Sequence, residues 1–148
     1  MIISSLIIVV SAALFVYWFR YTCVLILNTQ TTKDFTGEVA TANQLSFTEL
    51  RDGLENLESG ALDAAQRSLE RDYEVVSSLL RQAADFQVGG DSIEEMILRI
   101  DFRIMKAWYG FSRKISEAAS RTALEEMSQV VAHFANQVGE RAVNSANV

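Results

Sequence analysis

The chain opens on a run of eighteen residues, 2–19, with no charged side chain and a composition dominated by Ile, Val, Leu and Phe. At 1.5 Å per helical residue this run covers roughly 27 Å, close to the hydrocarbon thickness of a bilayer. Tyr17, Trp18 and Tyr21 gather at its far end, where an aromatic belt is expected, and Arg20 can reach the headgroups. The apolar stretch 23–27 then resumes, so residues 1–28 read as a single transmembrane anchor that tilts or ends in the interface. A cleaved signal peptide requires a basic leading region, whereas this chain begins Met-Ile-Ile-Ser-Ser. Cleavage after Ser11-Ala12-Ala13 would also leave an exposed Leu-Phe-Val-Tyr-Trp-Phe terminus, so the anchor reading is preferred.

Residues 29–45 are polar and Thr-rich without apolar periodicity, the pattern of a linker. Beyond them the apolar positions recur at helical steps. Ser46-Phe47-Thr48-Glu49 matches a capping box and predicts a short helix with Leu50, Leu54 and Leu57 on one face, ending near Ser59-Gly60. Leu62, Ala65, Leu69, Tyr73, Val76, Leu80, Ala83 and Phe86 then form an amphipathic stripe over 61–87, which Val88-Gly89-Gly90 stops. Ser92-Ile93-Glu94-Glu95 is a second capping box, and the tight reversal before it predicts an antiparallel helical hairpin.

The last segment carries two apolar ridges. Ile93, Ile97, Ile100, Ile104, Trp108, Phe111 and Ile115 follow a nearly 11-residue repeat and are expected to be the core face. Leu98, Phe102, Met105 and Tyr109 make a second ridge, separated from the first by a basic stripe of Arg99, Arg103, Lys106, Arg113 and Lys114. Ala123, Met127, Val130, Phe134 and Val138 continue the apolar pattern with a shifted phase. Either one helix of more than forty residues runs through, or it breaks near 116–122, where Thr122-Ala123-Leu124-Glu125 could cap a new one. The expected architecture is all-α: one transmembrane helix, then a small antiparallel hairpin or bundle over 46–143 with one very long C-terminal helix, and a frayed tail over 144–148.

Charge alters this picture in two ways. The net charge of −6 is concentrated in residues 34–87, which carry eleven acids against four arginines. An acidic body disfavours nucleic-acid binding, which needs phosphates neutralised. The only basic side chains near the anchor, Arg20 and Lys33, follow it, so the positive-inside rule puts the helical domain in the cytoplasm. The basic stripe is expected to pair with Asp63, Glu70, Asp72, Glu74 and Asp85 of the preceding helix, or else to dock an acidic partner or lipid headgroups. Burying both ridges needs neighbours on two sides, which makes Leu98, Arg99, Phe102, Arg103, Met105, Lys106, Tyr109 and Arg113 the candidate partner interface.

No reactive constellation stands out in the sequence. His133 is the sole histidine, and neither residue three positions from it is a glutamate, so a Glu-x-x-His di-iron pattern is absent from the sequence. Cys23 is the sole cysteine, which excludes an internal disulfide and a thiolate cluster. Gly89-Gly90 has no following Lys-Ser or Lys-Thr, and the pairs Glu94-Glu95 and Glu125-Glu126 suit the first turns of helices. The expectation is a protein with no catalytic, cofactor-binding or metal site and no small-molecule substrate. It would be a structural or accessory subunit of a membrane-associated assembly, joined to other subunits or to itself through the helical domain. The alternative is a membrane-anchored sensor or regulator relaying a signal through its bundle.

Overall fold

The computed structural model describes residues 1–29, 31, 33–85 and 92–147. They contain six α-helices and no strand, and they divide into two compact units, Met1–Gln30 and Thr31–Val148.

The first unit is helix α1, Ile2–Leu27, 26 residues long. It is long and apolar enough to cross a membrane, reaching about 39 Å at 1.5 Å per residue. Its hydrophobic positions do not select one face: Ile2, Ile3, Leu6, Ile7, Ile8, Val9 and Val10 are all exposed. A helix apolar on every side lacks the amphipathic stripe that docks a helix onto a soluble core.

The second unit is built around its last helix. Helices α2 (Thr36–Asn43), α3 (Phe47–Gly53), α4 (Leu62–Asp85) and α5 (Ile93–Ser112) all pack on α6 (Glu117–Ala146). The reason lies in the sequence of α6. Ala123, Leu124, Met127, Val130, Val131, Phe134 and Ala135 are fully buried and cover so wide an arc that one neighbour could not enclose them. From α4, Leu62, Ala65, Leu69, Val76 and Leu80 enter the same core, as the stripe predicts. Phe86 and the turn at Val88-Gly89-Gly90 lie outside the described residues.

Three expectations are corrected. The supposed linker 29–45 contains α2, and Phe35, Val39, Ala40 and Leu45 are buried around it. Asn136 on α6 fixes this segment: its Oδ1 accepts from the Phe35 amide at 2.8 Å, and its Nδ2 donates to Thr31 Oγ1 at 2.9 Å. Phe35 also sits directly over Gly139, where a Cβ would lie 2.7 Å from Phe35 Cγ, so this crossing admits only glycine. Of the two courses open to the long C-terminal segment, the break is observed, with Ser116 rather than Thr122 as the cap of the new helix. The chain turns at 113–116, where Ile115 donates to the Ser112 carbonyl at 2.9 Å and Ser116 Oγ caps α6 by accepting from the Ala119 amide at 3.3 Å. The tail is helical as far as Ala146.

The two capping boxes also differ in outcome. Ser92 Oγ accepts from the Glu95 amide at 3.2 Å, as expected. Ser46 makes no side-chain cap; its backbone amide donates instead to Asp72 Oδ2 at 2.8 Å, tying α3 to α4. The connection 54–61 is held by guanidinium groups. Arg121 donates to the Leu54 carbonyl at 2.6 Å and the Leu57 carbonyl at 2.5 Å, and Arg113 donates to the Ser59 carbonyl at 2.7 Å. Charge-assisted bonds of this kind satisfy carbonyls that two short 3-10 turns leave over.

Candidate docking surface

Helix α5 has two apolar faces, and they are reversed from expectation. Leu98, Phe102, Met105 and Tyr109 are buried. The Phe102 ring stacks on Tyr73 of α4 with centroids 3.8 Å apart. Each such side chain removed from water contributes about 1.5–3 kcal/mol. The Ile-rich ridge read as core points outward instead: Ile93 is 72% exposed, Phe111 58% and Ile115 69%, with Ile100, Ile104 and Trp108 also exposed and Ile97 half-buried. Met96 widens the ridge, and the Trp108 and Phe111 rings lie 5.6 Å apart upon it.

The cause is polar as much as apolar. The inward face also carries Glu95, Asp101 and Ser112, all buried. Glu95 pairs with Arg141 of α6, whose guanidinium reaches the Leu80 carbonyl of α4 at 3.3 Å. Ser112 Oγ lies 3.4 Å from Ser120 Oγ on α6. Tyr109 donates its phenol to Asp63 of α4 at 2.5 Å. The inner ridge thus brings polar atoms that find specific partners in the bundle, whereas the Ile ridge brings none.

The eight residues expected at a partner interface separate accordingly. Leu98, Phe102, Met105 and Tyr109 are enclosed by the chain's own helices. Arg99 is half-buried with its guanidinium 5.7 Å from the Phe134 ring centre, within cation–π range. Lys106 pairs with Glu70 at 2.9 Å and Arg113 with Asp63 at 3.2 Å, so part of the basic stripe meets α4 as anticipated. Arg103 is exposed, as is Lys114, and both border the outward ridge. Asp72, also expected to meet the stripe, holds the Ser46 amide instead; the Asp85 side chain lies outside the described residues. On α1, Tyr17, Trp18 and Tyr21 are exposed and Arg20 half-exposed, with Trp18 and Tyr21 rings edge to face at 6.3 Å.

The titratable groups near α5 follow from these contacts. Burial, reinforced by the bond to Asp63, pushes the Tyr109 phenol up to about 12. The Tyr109 hydroxyl, ahead of the Arg113 guanidinium, holds the Asp63 carboxyl below its ordinary value. His133 of α6 is half-buried 3.2 Å from Gln137 Nε2, and burial lowers its imidazole below the usual value against the opposing pull of Glu94.

Elsewhere an open cleft of about 450 Å³ lies between Arg51, Leu54 and Glu55 on one side and Ala118, Arg121 and Glu125 on the other. Its central guanidinium, Arg121, is committed to the Leu54 and Leu57 carbonyls and to Glu117 at 2.7 Å. Among the described residues no group of three or more His, Cys, Asp or Glu side chains is placed to hold a metal ion. No protein-family model, curated protein or solved structure matches the chain.

Proposed function

We propose that this protein is a non-enzymatic, single-pass membrane protein, a structural or accessory subunit whose helical domain docks in a membrane-associated assembly. The observation that carries the reading is the outward ridge of α5, six large exposed apolar side chains in file, with exposed Ile115 in the turn that follows. Soluble monomers rarely leave so much contiguous apolar surface to water, and its rim of Arg103 and Lys114 has the composition of an interaction site.

Helix α1 supplies the anchor in this reading, with Tyr17, Trp18, Arg20 and Tyr21 at the bilayer interface. Arg20 and Lys33 favour a cytoplasmic domain. Helices α4 and α5 are taken as the antiparallel hairpin, supported by the pairs Asp63–Arg113, Glu70–Lys106 and Tyr73–Phe102, whose numbers run in opposite senses.

Membrane vesicles bearing the full chain are the material for the test. The protein is expected to remain in the pellet after an alkaline carbonate wash and to leave detergent as a complex heavier than one chain. Release by carbonate, or a monodisperse single chain with nothing bound, contradicts the proposal.

A further inference from the structure

The outward α5 ridge has a spacing, an area and a charge that its occupant must match. We infer that this ridge seats a second copy of the same chain, ridge against ridge; the inference rests on the docking reading above and names the partner. The ridge positions 93, 97, 100, 104, 108, 111 and 115 advance by four, three and four residues from 93 to 104. The same steps of four and three lead on to 108 and 111, where α5 nears its end at Ser112, and Ile115 follows in the turn. A repeat of 11 residues, about 3.67 per turn, keeps a seam on one side of a nearly straight helix. The surface that best follows such a seam is a helix with the same repeat, and a copy of α5 supplies it. Four of the six positions within α5 are isoleucine, whose single preferred rotamer in a helix suits knobs-into-holes packing between helices.

Area points the same way. Summed from their fractional exposures, Ile93, Met96, Ile100, Ile104, Trp108, Phe111 and Ile115 present on the order of 800 Å² to solvent, the contribution each partner makes to a stable interface. A two-fold pairing uses the same patch twice and closes without leaving an apolar edge for further growth.

Charge argues against the bilayer surface as occupant. The chain's −6 includes Arg20 as the only charged side chain before residue 31, so residues 31–148 carry −7. Such a domain is repelled by anionic headgroups. Along the ridge only Arg103 and Lys114 face outward among the bases, since Lys106 and Arg113 are drawn to Glu70 and Asp63, and Glu94 is exposed close by. A face that lies in headgroups is lined by many more cations than this. Confinement of two anchored copies to one bilayer raises their effective concentration and favours pairing further.

The experiment uses the full chain in intact membranes and then in lipid nanodiscs. In a Cys23→Ala background, Ile104→Cys is expected to crosslink to a species of twice the chain mass on mild oxidation. Mass measurement in nanodiscs is expected to give two copies for the wild type and one for Ile104→Arg, with helical circular dichroism retained. Phe111→Ala, which changes no charge, should shift the same equilibrium toward one copy and serves if Ile104→Arg fails to fold. A single copy that carries a different polypeptide, lost in Ile104→Arg, overturns the second-copy inference and leaves the docking reading standing. So does a single copy, in a Trp18→Phe background, whose Trp108 is quenched by brominated lipid, with lipid then the occupant. A single copy with Trp108 unquenched and nothing bound overturns both.

Discussion

The two faces of α5 share one helix and are both apolar, yet only one is inside. The inner face is the less hydrophobic of the two, carrying Glu95, Asp101 and Ser112 among Leu98, Phe102 and Met105. The outer face, with Ile93, Ile100, Ile104, Trp108 and Phe111, stays in contact with solvent. The comparison teaches that apolar periodicity identifies a face that must be covered, and complementarity decides by what. A core accepts a carboxylate when an arginine waits for it, as Arg141 does for Glu95. The outward ridge carries no such commitments.

Truncation is the strongest way to break this contrast. Phe102→Ala removes the ring stacked on Tyr73 and is expected to cost about 3–5 kcal/mol in urea denaturation, the loss typical of a buried aromatic. Phe111→Ala on the opposite face of the same helix should change the stability of the domain by less than about 0.5 kcal/mol when measured in the single-copy state. Equal losses at the two positions would erase the distinction between the faces.

Glycine substitutions sharpen it at smaller amplitude. Gly139→Ala places a methyl group into Phe35 and should destabilise by about 1–3 kcal/mol. Gly110→Ala on the outer part of α5 meets nothing within 4 Å and should stabilise by about 0.5–1 kcal/mol, since alanine is the better helix former. Thermal melts of the two variants are therefore expected to move in opposite directions.

The smallest effect concerns Tyr109, whose folded-state phenol titrates at about 12. Below pH 10 the phenol is protonated in both the folded and the unfolded chain, and its contribution to stability is whole. As the pH rises from 10 to 12 the unfolded chain loses the proton first, so that contribution drains away. Tyr109→Phe should flatten this part of the stability–pH profile relative to wild type. An unchanged slope would mean that the Asp63–Tyr109 contact is not held in solution.

Much of the architecture is legible in the amino-acid order. The anchor-length helix, the α4 stripe and the buried positions of α6 follow from hydropathy at helical spacing, and Ser92 caps as its motif implies. Three features do not follow, each for a physical reason. The segment with Phe35, Val39 and Ala40 has too few apolar positions to declare a helix, and the groups that hold it, Asn136 and Gly139, lie about a hundred residues away on α6. The end of α5 is set by Ser112 and Ser116, which bond locally and interrupt a continuous apolar pattern. The choice between the two ridges of α5 depends on the partners of Glu95 and Tyr109, which belong to α6 and α4 and are invisible to periodicity. The exposed apolar ridge was therefore present in the sequence, with its direction reversed.

Trp108 reports on the covering of that ridge. In a Trp18→Phe variant of the full chain, held in membranes of expressing cells, Trp108 becomes the only indole. Acrylamide quenching is expected to find it shielded, and Ile104→Arg to open it to the quencher. A Trp108 in the parent membrane as accessible as free indole would mean that nothing covers the outward face of α5, and the docking account would be wrong.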